Sequence, residues 1–136
     1  MRYRKSTIRY ATVIRPGHAW PLGQLWQGSL QLLPTVRWRP DADVLETVDS
    51  IEVIVDVAGI AEEDFDITVF EDAVVVEGER RLPTFKGAAV YHTAAIPYGP
   101  FRVELSLPVP IQLEAVEAQY RDGLLRISLP KRVGKV

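Results

Sequence analysis

Asp122-Gly123-Leu124-Leu125-Arg126-Ile127-Ser128-Leu129-Pro130-Lys131 is the stretch that decides the fold. Asp-Gly signals a two-residue hairpin, because the favoured turn needs positive φ at both central positions. After it, Leu125, Ile127 and Leu129 alternate with Arg126 and Ser128, the period of a strand with one buried face. Before it, Val116, Ala118 and Tyr120 repeat that period. Further out, Phe101, Val103, Leu105 and Leu107 alternate with Arg102, Glu104 and Ser106. Residues 73–78 form a β-branched run. Phe65, Ile67 and Val69 alternate with Asp66, Thr68 and Phe70, and Ile51, Val53, Val55 and Val57 with Glu52, Ile54 and Asp56. Glu71-Asp72 falls where a second tight turn is needed, and Pro108 and Pro110 hold Val109 in an extended connection. Short, evenly spaced, β-branched segments predict an all-β chain folded as an immunoglobulin-like antiparallel β-sandwich.

Two segments stand outside that pattern. Residues 83–100 contain Pro83, Gly87, Pro97, Gly99 and Pro100, a connection too long to be idle in a compact domain. Within it, Ala88 to Ile96 is expected to supply an outlying strand. Residues 1–37 form a short, partly helical N-terminal arm. Ile8, Tyr10, Thr12 and Ile14 alternate weakly, Pro16-Gly17 breaks the run, and Leu22, Leu25, Trp26, Leu30 and Leu33 then fall at helical spacing opposite Gln24, Gln27 and Gln31. Gly23 and Gly28 weaken that helix and Pro34 ends it. The expected organisation is thus arm 1–37, sandwich 38–131 and tail 132–136. The rings of Trp20, Trp26 and Trp38 need a surface that the arm alone does not offer.

Charge is split along the chain. Residues 1–39 carry seven basic groups and no acid; residues 40–136 carry nine basic and eighteen acidic groups, a net of −9. A basic arm beside an acidic body suits docking on its own kind, and the acidic remainder opposes nucleic acid as a partner. The chain has no cysteine, which excludes a disulfide scaffold, a thiolate metal site and a cysteine nucleophile. No apolar run approaches the roughly 20 residues of a membrane helix, and Arg9 and Arg15 interrupt any secretory leader. A cytoplasmic protein without a membrane partner is expected. Gly87, Gly99, Gly123 and Gly134 are isolated rather than set in a phosphate-cradling loop, so no nucleotide or other cofactor is expected. His18 and His92 lack a placed nucleophile, and Glu62-Glu63-Asp64 lacks the glycine-centred loop of a calcium site. Neither an enzyme nor a metal site is expected.

Residues 38–131 resemble the α-crystallin domain of small heat-shock proteins. The resemblance rests on Asp122 through Lys131 with Ala115-Val116-Glu117-Ala118 before it. It also rests on Asp56-Val57-Ala58-Gly59-Ile60 followed by Glu63-Asp64-Phe65-Asp66-Ile67, and on Tyr91-His92, Tyr98-Gly99-Pro100-Phe101 and Leu107-Pro108. Pro40-Asp41-Ala42-Asp43-Val44-Leu45-Glu46-Thr47 completes it. The resemblance implies a chaperone that holds unfolded or partly unfolded client proteins without ATP. It implies a homodimer, and a higher homo-oligomer beyond it, in which a loop strand with Val90, Tyr91, His92 and Ile96 pairs with a partner's edge strand at Asp43, Val44 and Leu45. It implies a groove lined by Val69, Val116 and Ala118 that receives family tails. Trp20, Leu22, Leu25, Trp26, Leu30 and Leu33 would then serve client binding and assembly, as an apolar patch outside a sandwich usually marks a binding surface.

Two positions depart from the family pattern. Many members carry an interface arginine where this chain has Val103, with Arg102 on the opposite face. The family's Ile/Val-x-Ile/Val tail is replaced by Val133 and Val136, whose spacing of three puts them on opposite faces of a strand. Assembly beyond a dimer should therefore lean on the arm. The competing reading is a sandwich co-chaperone or adaptor for one specific protein, with the arm as an ordinary core strand.

Overall fold

The computed structural model describes residues 5–7, 11–14 and 37–133. The strands are β1 (Lys5–Thr7), β2 (Ala11–Ile14), β3 (Ala42–Glu46), β4 (Ser50–Asp56), β5 (Phe65–Phe70), β6 (Ala73–Arg80), β7 (Gly99–Ser106), β8 (Glu117–Arg121) and β9 (Leu124–Pro130). They form two sheets, one ordered β1-β8-β9-β4-β3 and the other β2-β5-β6-β7. The expected sandwich is present. One ladder departs from the antiparallel expectation: β2 runs parallel to β5. Of the alternation read over Ile8–Ile14, Ala11–Ile14 forms β2; residues 8–10 and the helix read over Leu22–Leu33 lie outside the described residues.

Register follows from burial. Ile51, Val53 and Val55 on β4 stand opposite Leu129, Ile127 and Leu125 on β9, and all six are buried. A slip of one residue would carry Glu52, Ile54 and Asp56 inward, so the apolar faces fix the pairing. From the second sheet, Ile67, Val69, Val74, Val76, Phe101, Val103 and Leu105 close the same core. Asp122 and Gly123 both adopt positive φ between β8 and β9, as the turn requires. Leu107 and Leu113 cap one end of the core, and Ile111 bridges to Lys131.

Tyr120 fastens the other end. Its ring packs edge-on against Phe65 with centroids 5.3 Å apart. Its hydroxyl donates to the Ile60 carbonyl at 2.7 Å and also lies 3.0 Å from that of Val57. Burial, first of all, raises the phenol above its ordinary value of 10.0. A group whose folded-state pKa is raised contributes fully below its unfolded value, and that contribution is lost as pH rises through the folded one. Tyr120→Phe should therefore cost about 1 kcal/mol at neutral pH. It should also lessen the stability lost above about pH 10. Urea melts of both proteins at pH 7 and pH 11 check this; an unchanged gap between them at the two pH values would remove the titration argument.

Candidate functional site

Sheet edges are where a sandwich can pair with something else. Without the arm, one sheet would end on β8 and β3 and the other on β5 and β7. The β8 edge carries β1, with Ser6 opposite Ala118, and the β5 edge carries β2, with Val13 opposite Val69. The β7 edge meets the segment at Trp38, which bridges in parallel to Phe101. There the Trp38 amide donates to the Pro100 carbonyl at 3.2 Å, and the Arg102 amide donates to the Trp38 carbonyl at 3.0 Å. Among the described residues, nothing pairs with the outer side of β3.

That open edge overhangs the core. Val44 lies opposite Val53, which is fully buried, yet Val44 itself is 39% exposed and Leu45 is 43% exposed. The expected edge residues Asp43, Val44 and Leu45 are therefore together on an edge strand that pairs with β4 on one side only among the described residues, with the apolar side chains of Val44 and Leu45 partly in water.

The loop after β6 is the second feature. Every residue from 81 to 97 is exposed, and no strand forms there within the chain. The outlying strand expected over Ala88–Ile96 is thus absent from the single chain, where no neighbouring backbone is available to pair with it. Val90, Tyr91 and Ile96 are 79%, 58% and 63% exposed, and His92 is exposed beside them. Leu82 and Phe85 join them at 61% and 63%. Sequence reading passed over these two, because Pro83 and Thr84 leave no periodicity around them.

Both roots of the loop are tied down. Arg81 holds Asp64 with a fork of two hydrogen bonds, at 2.9 and 3.1 Å. That pairing raises the guanidinium pKa further, through the hydrogen bond first and the charge second. At the other root Arg80 donates to the Pro97 carbonyl at 3.0 Å and to the Ala58 carbonyl at 3.2 Å. Its guanidinium lies 4.5 Å from the centroid of the Trp38 ring. Trp38 stacks at 5.2 Å on Phe101 and donates its indole N–H to the Gly99 carbonyl at 3.0 Å. This is the surface Trp38 required, and it pins the end of the arm to the end of the loop. The loop thus has fixed roots and a fully exposed middle.

Val69, Val116 and Ala118, the expected groove residues, are all buried members of the core cluster. Val69 lies on β5 opposite Val13 of β2, Ala118 on β8 opposite Ser6 of β1, and Val116 immediately precedes β8. Val103 is buried, while Arg102 faces outward beside Glu104 at 3.2 Å and Glu77 at 3.8 Å. The expected client-binding residues Trp20, Leu22, Leu25, Trp26, Leu30 and Leu33 lie outside the described residues, as does Val136. Val133 is exposed. Among the described residues no His, Cys, Asp and Glu side chains gather as a metal site would need.

Comparison with known proteins gives a consistent result. The profile described as the Hsp20/alpha crystallin family matches residues 43–136. Small heat shock protein C2 of Rickettsia felis is 29% identical over 93 residues, covering 68% of this chain and 60% of the relative. The 22.0 kDa heat shock protein of Arabidopsis thaliana is 32% identical over 113 residues, covering 82% of this chain and 55% of the relative. The chain thus spans somewhat over half the length of such relatives. Among solved structures, HSP18.5 from E. histolytica superposes with a TM-score of 0.64 at 26% identity, covering 72% of this chain and 92% of that one. A small heat-shock protein from Xylella fastidiosa shares the fold with a TM-score of 0.65 at 23% identity, covering 74% of this chain and 93% of that one. With its sandwich, its overhanging edge and its rooted loop, the chain belongs to the Hsp20/alpha crystallin family of small heat-shock proteins.

Proposed function

We propose that this protein is an ATP-independent holdase, working in the cytoplasm as a homodimer or larger homo-oligomer that captures partly unfolded proteins. One observation carries the reading: a member of a chaperone family exposes, on one loop with fixed roots, the apolar side chains of Leu82, Phe85, Val90, Tyr91 and Ile96. In the dimer the loop of each subunit pairs with the partner's β3, through the segment holding Val90, Tyr91, His92 and Ile96. The exchange of identical elements closes a two-fold assembly. Trp20, Leu22, Leu25, Trp26, Leu30 and Leu33 of the arm take the client. Burying about 400 Å² of client apolar surface contributes about 10 kcal/mol before costs. Lost freedom and side-chain ordering consume much of that, so capture is reversible and release needs no hydrolysis.

The test is light scattering during thermal aggregation of several unrelated, unstable enzymes in nucleotide-free buffer. The expected result is suppression of each at near-stoichiometric amounts, unchanged by added ATP. Strict ATP dependence, or no protection of any client, would sink the proposal. Protection of a single protein would favour an adaptor instead.

A further inference from the structure

We infer, resting on the loop exchange proposed above, that charge selects which strand the β3 edge accepts. Lys86 and His92 on the loop meet Asp43 and Asp49 on a second copy, and the acids around β3 turn away any strand that carries acids of its own.

Charge is sorted along the sandwich far more sharply than a net of −2 for the whole chain shows. Residues 40–79 hold fourteen acids and no Lys, Arg or His. Residues 80–103 hold Arg80, Arg81, Lys86, His92 and Arg102 and no acid. The first block supplies β3, with Asp41 just before it and Asp49 in the turn after it. The second supplies the exposed loop. Several of these charges are neutralised within the chain. Arg81 pairs with Asp64, Arg102 lies beside Glu77 and Glu104, and Glu46 meets Lys131 at 2.6 Å. Arg80 is held over the Trp38 ring by two backbone carbonyls. Lys86 on the loop and Asp41, Asp43 and Asp49 at the edge are exposed, and none of the four forms an ion pair with a described residue.

An edge with Val44 and Leu45 in water is a hazard, because two such edges can pair with each other. Laying one β3 along another would set Asp41, Asp43, Glu46 and Asp49 against the same four acids, and like charges across a ladder destabilise it. The edge thus rejects its own kind. It accepts a strand with apolar side chains, a cation and no acid, which is the composition of the loop around Lys86, Val90, Tyr91 and His92. In an antiparallel ladder with Tyr91 opposite Val44, counting outward brings His92 opposite Asp43 and Lys86 opposite Asp49. A two-fold assembly makes each contact twice. Exposed pairs shift an equilibrium by only up to about fivefold each, so these charges choose the partner more than they hold it.

Carbodiimide coupling of full-length protein, mixed in equal parts with an isotope-labelled copy, reads the contact. It joins an amine to a carboxylate where the two touch, and the chain has only Lys5, Lys86, Lys131 and Lys135 as lysines. Isotope-mixed amides from Lys86 to Asp41, Asp43 or Asp49 are the expected inter-chain product. Sedimentation supplies the second readout. At low salt, Lys86→Glu alone, and Asp43→Lys with Asp49→Lys, should each raise the dissociation constant about tenfold, and the three changes together should return it to within about threefold of wild type. At about 1 M salt, where screening acts within roughly 3 Å, all four proteins should converge. Inter-chain amides from the edge acids to Lys5, Lys131 or Lys135 instead, or a triple variant as weak as its parents, would overturn the charge selection. Tyr91→Pro separates the two levels. If it yields monomer while Lys86 neither couples nor alters the dissociation constant, the loop exchange stands and the charge selection falls. If it keeps the wild-type mass, the exchange falls and the charge selection with it.

Discussion

Gly78→Ala is expected to destabilise the sandwich by about 3 kcal/mol, far more than a single methyl group normally does. Gly78 lies within β6, directly opposite Phe65 on β5. A methyl there would overlap the Asp64 carbonyl oxygen and stand 2.7 Å from the Phe65 Cα and 2.9 Å from its Cβ. Two of these three neighbours are backbone, held by the β5–β6 ladder and by the turn that Arg81 grips, so no rotamer change relieves the overlap. The ladder would have to part where the exposed loop is rooted. Gly87→Ala supplies the comparison. Gly87 has φ of +80° and nothing within 4 Å of the added carbon, so its cost is the left-handed strain alone, about 1 kcal/mol. Thermal melts should place Gly78→Ala roughly 10 °C or more below wild type, given 4–8 °C per kcal/mol for a domain of about this size. A melting temperature for Gly78→Ala at or above that of Gly87→Ala would show that β5 and β6 yield more readily than this packing implies.

The two glycines also show what the sequence could and could not disclose. The sandwich was legible because burial imposes period two: Val53, Ile127 and Val76 must face one way and Glu52, Arg126 and Glu77 the other, whatever else the chain does. The turn at Asp122-Gly123 was legible because its φ values tolerate few residues. Gly78 carried no such mark, since its need for a missing side chain comes from Asp64 and Phe65, distant in sequence and brought close by the hairpin. Trp38 was legible only as a ring in search of a surface; Phe101 and Arg80 became that surface when β6 and β7 paired. The attachment of Lys5–Thr7 and Ala11–Ile14 to two sheets was hidden for another reason. Segments of three and four residues are placed by the edges they meet rather than by any period of their own. Val69 and Ala118, expected with Val116 to line a groove for tails, lie on the strands that pair with Ala11–Ile14 and Lys5–Thr7. The loop from 81 to 97 shows the converse limit, for an apolar run without a partner in its own chain has no structure for sequence periodicity to report.

Tyr91→Pro is expected to shift the proposed dimer to monomer while leaving its far-UV β signal nearly intact. Tyr91 stands in the middle of the exposed loop, well away from the roots at Arg80, Arg81 and Gly99, and its side chain is 58% exposed. The single chain therefore has little to lose from the substitution. A dimer built by laying this loop along the partner's β3 has much to lose. Proline removes one backbone donor and fixes φ near −65°, which a paired strand in mid-ladder does not tolerate. The loss occurs twice, because a two-fold interface repeats it. If each copy costs about 2–3 kcal/mol, the dimer weakens by about 5 kcal/mol, a factor of several thousand in dissociation constant. Light scattering coupled to size exclusion at micromolar concentration should then report half the wild-type dimer mass, with β3 newly susceptible to aggregation at its uncovered Val44 and Leu45. Leu45→Lys, on the receiving edge, should move the mass in the same direction without touching the loop, since a charge on an exposed edge strand blocks pairing. A wild-type mass for both variants would mean that neither the loop nor the β3 edge holds the dimer.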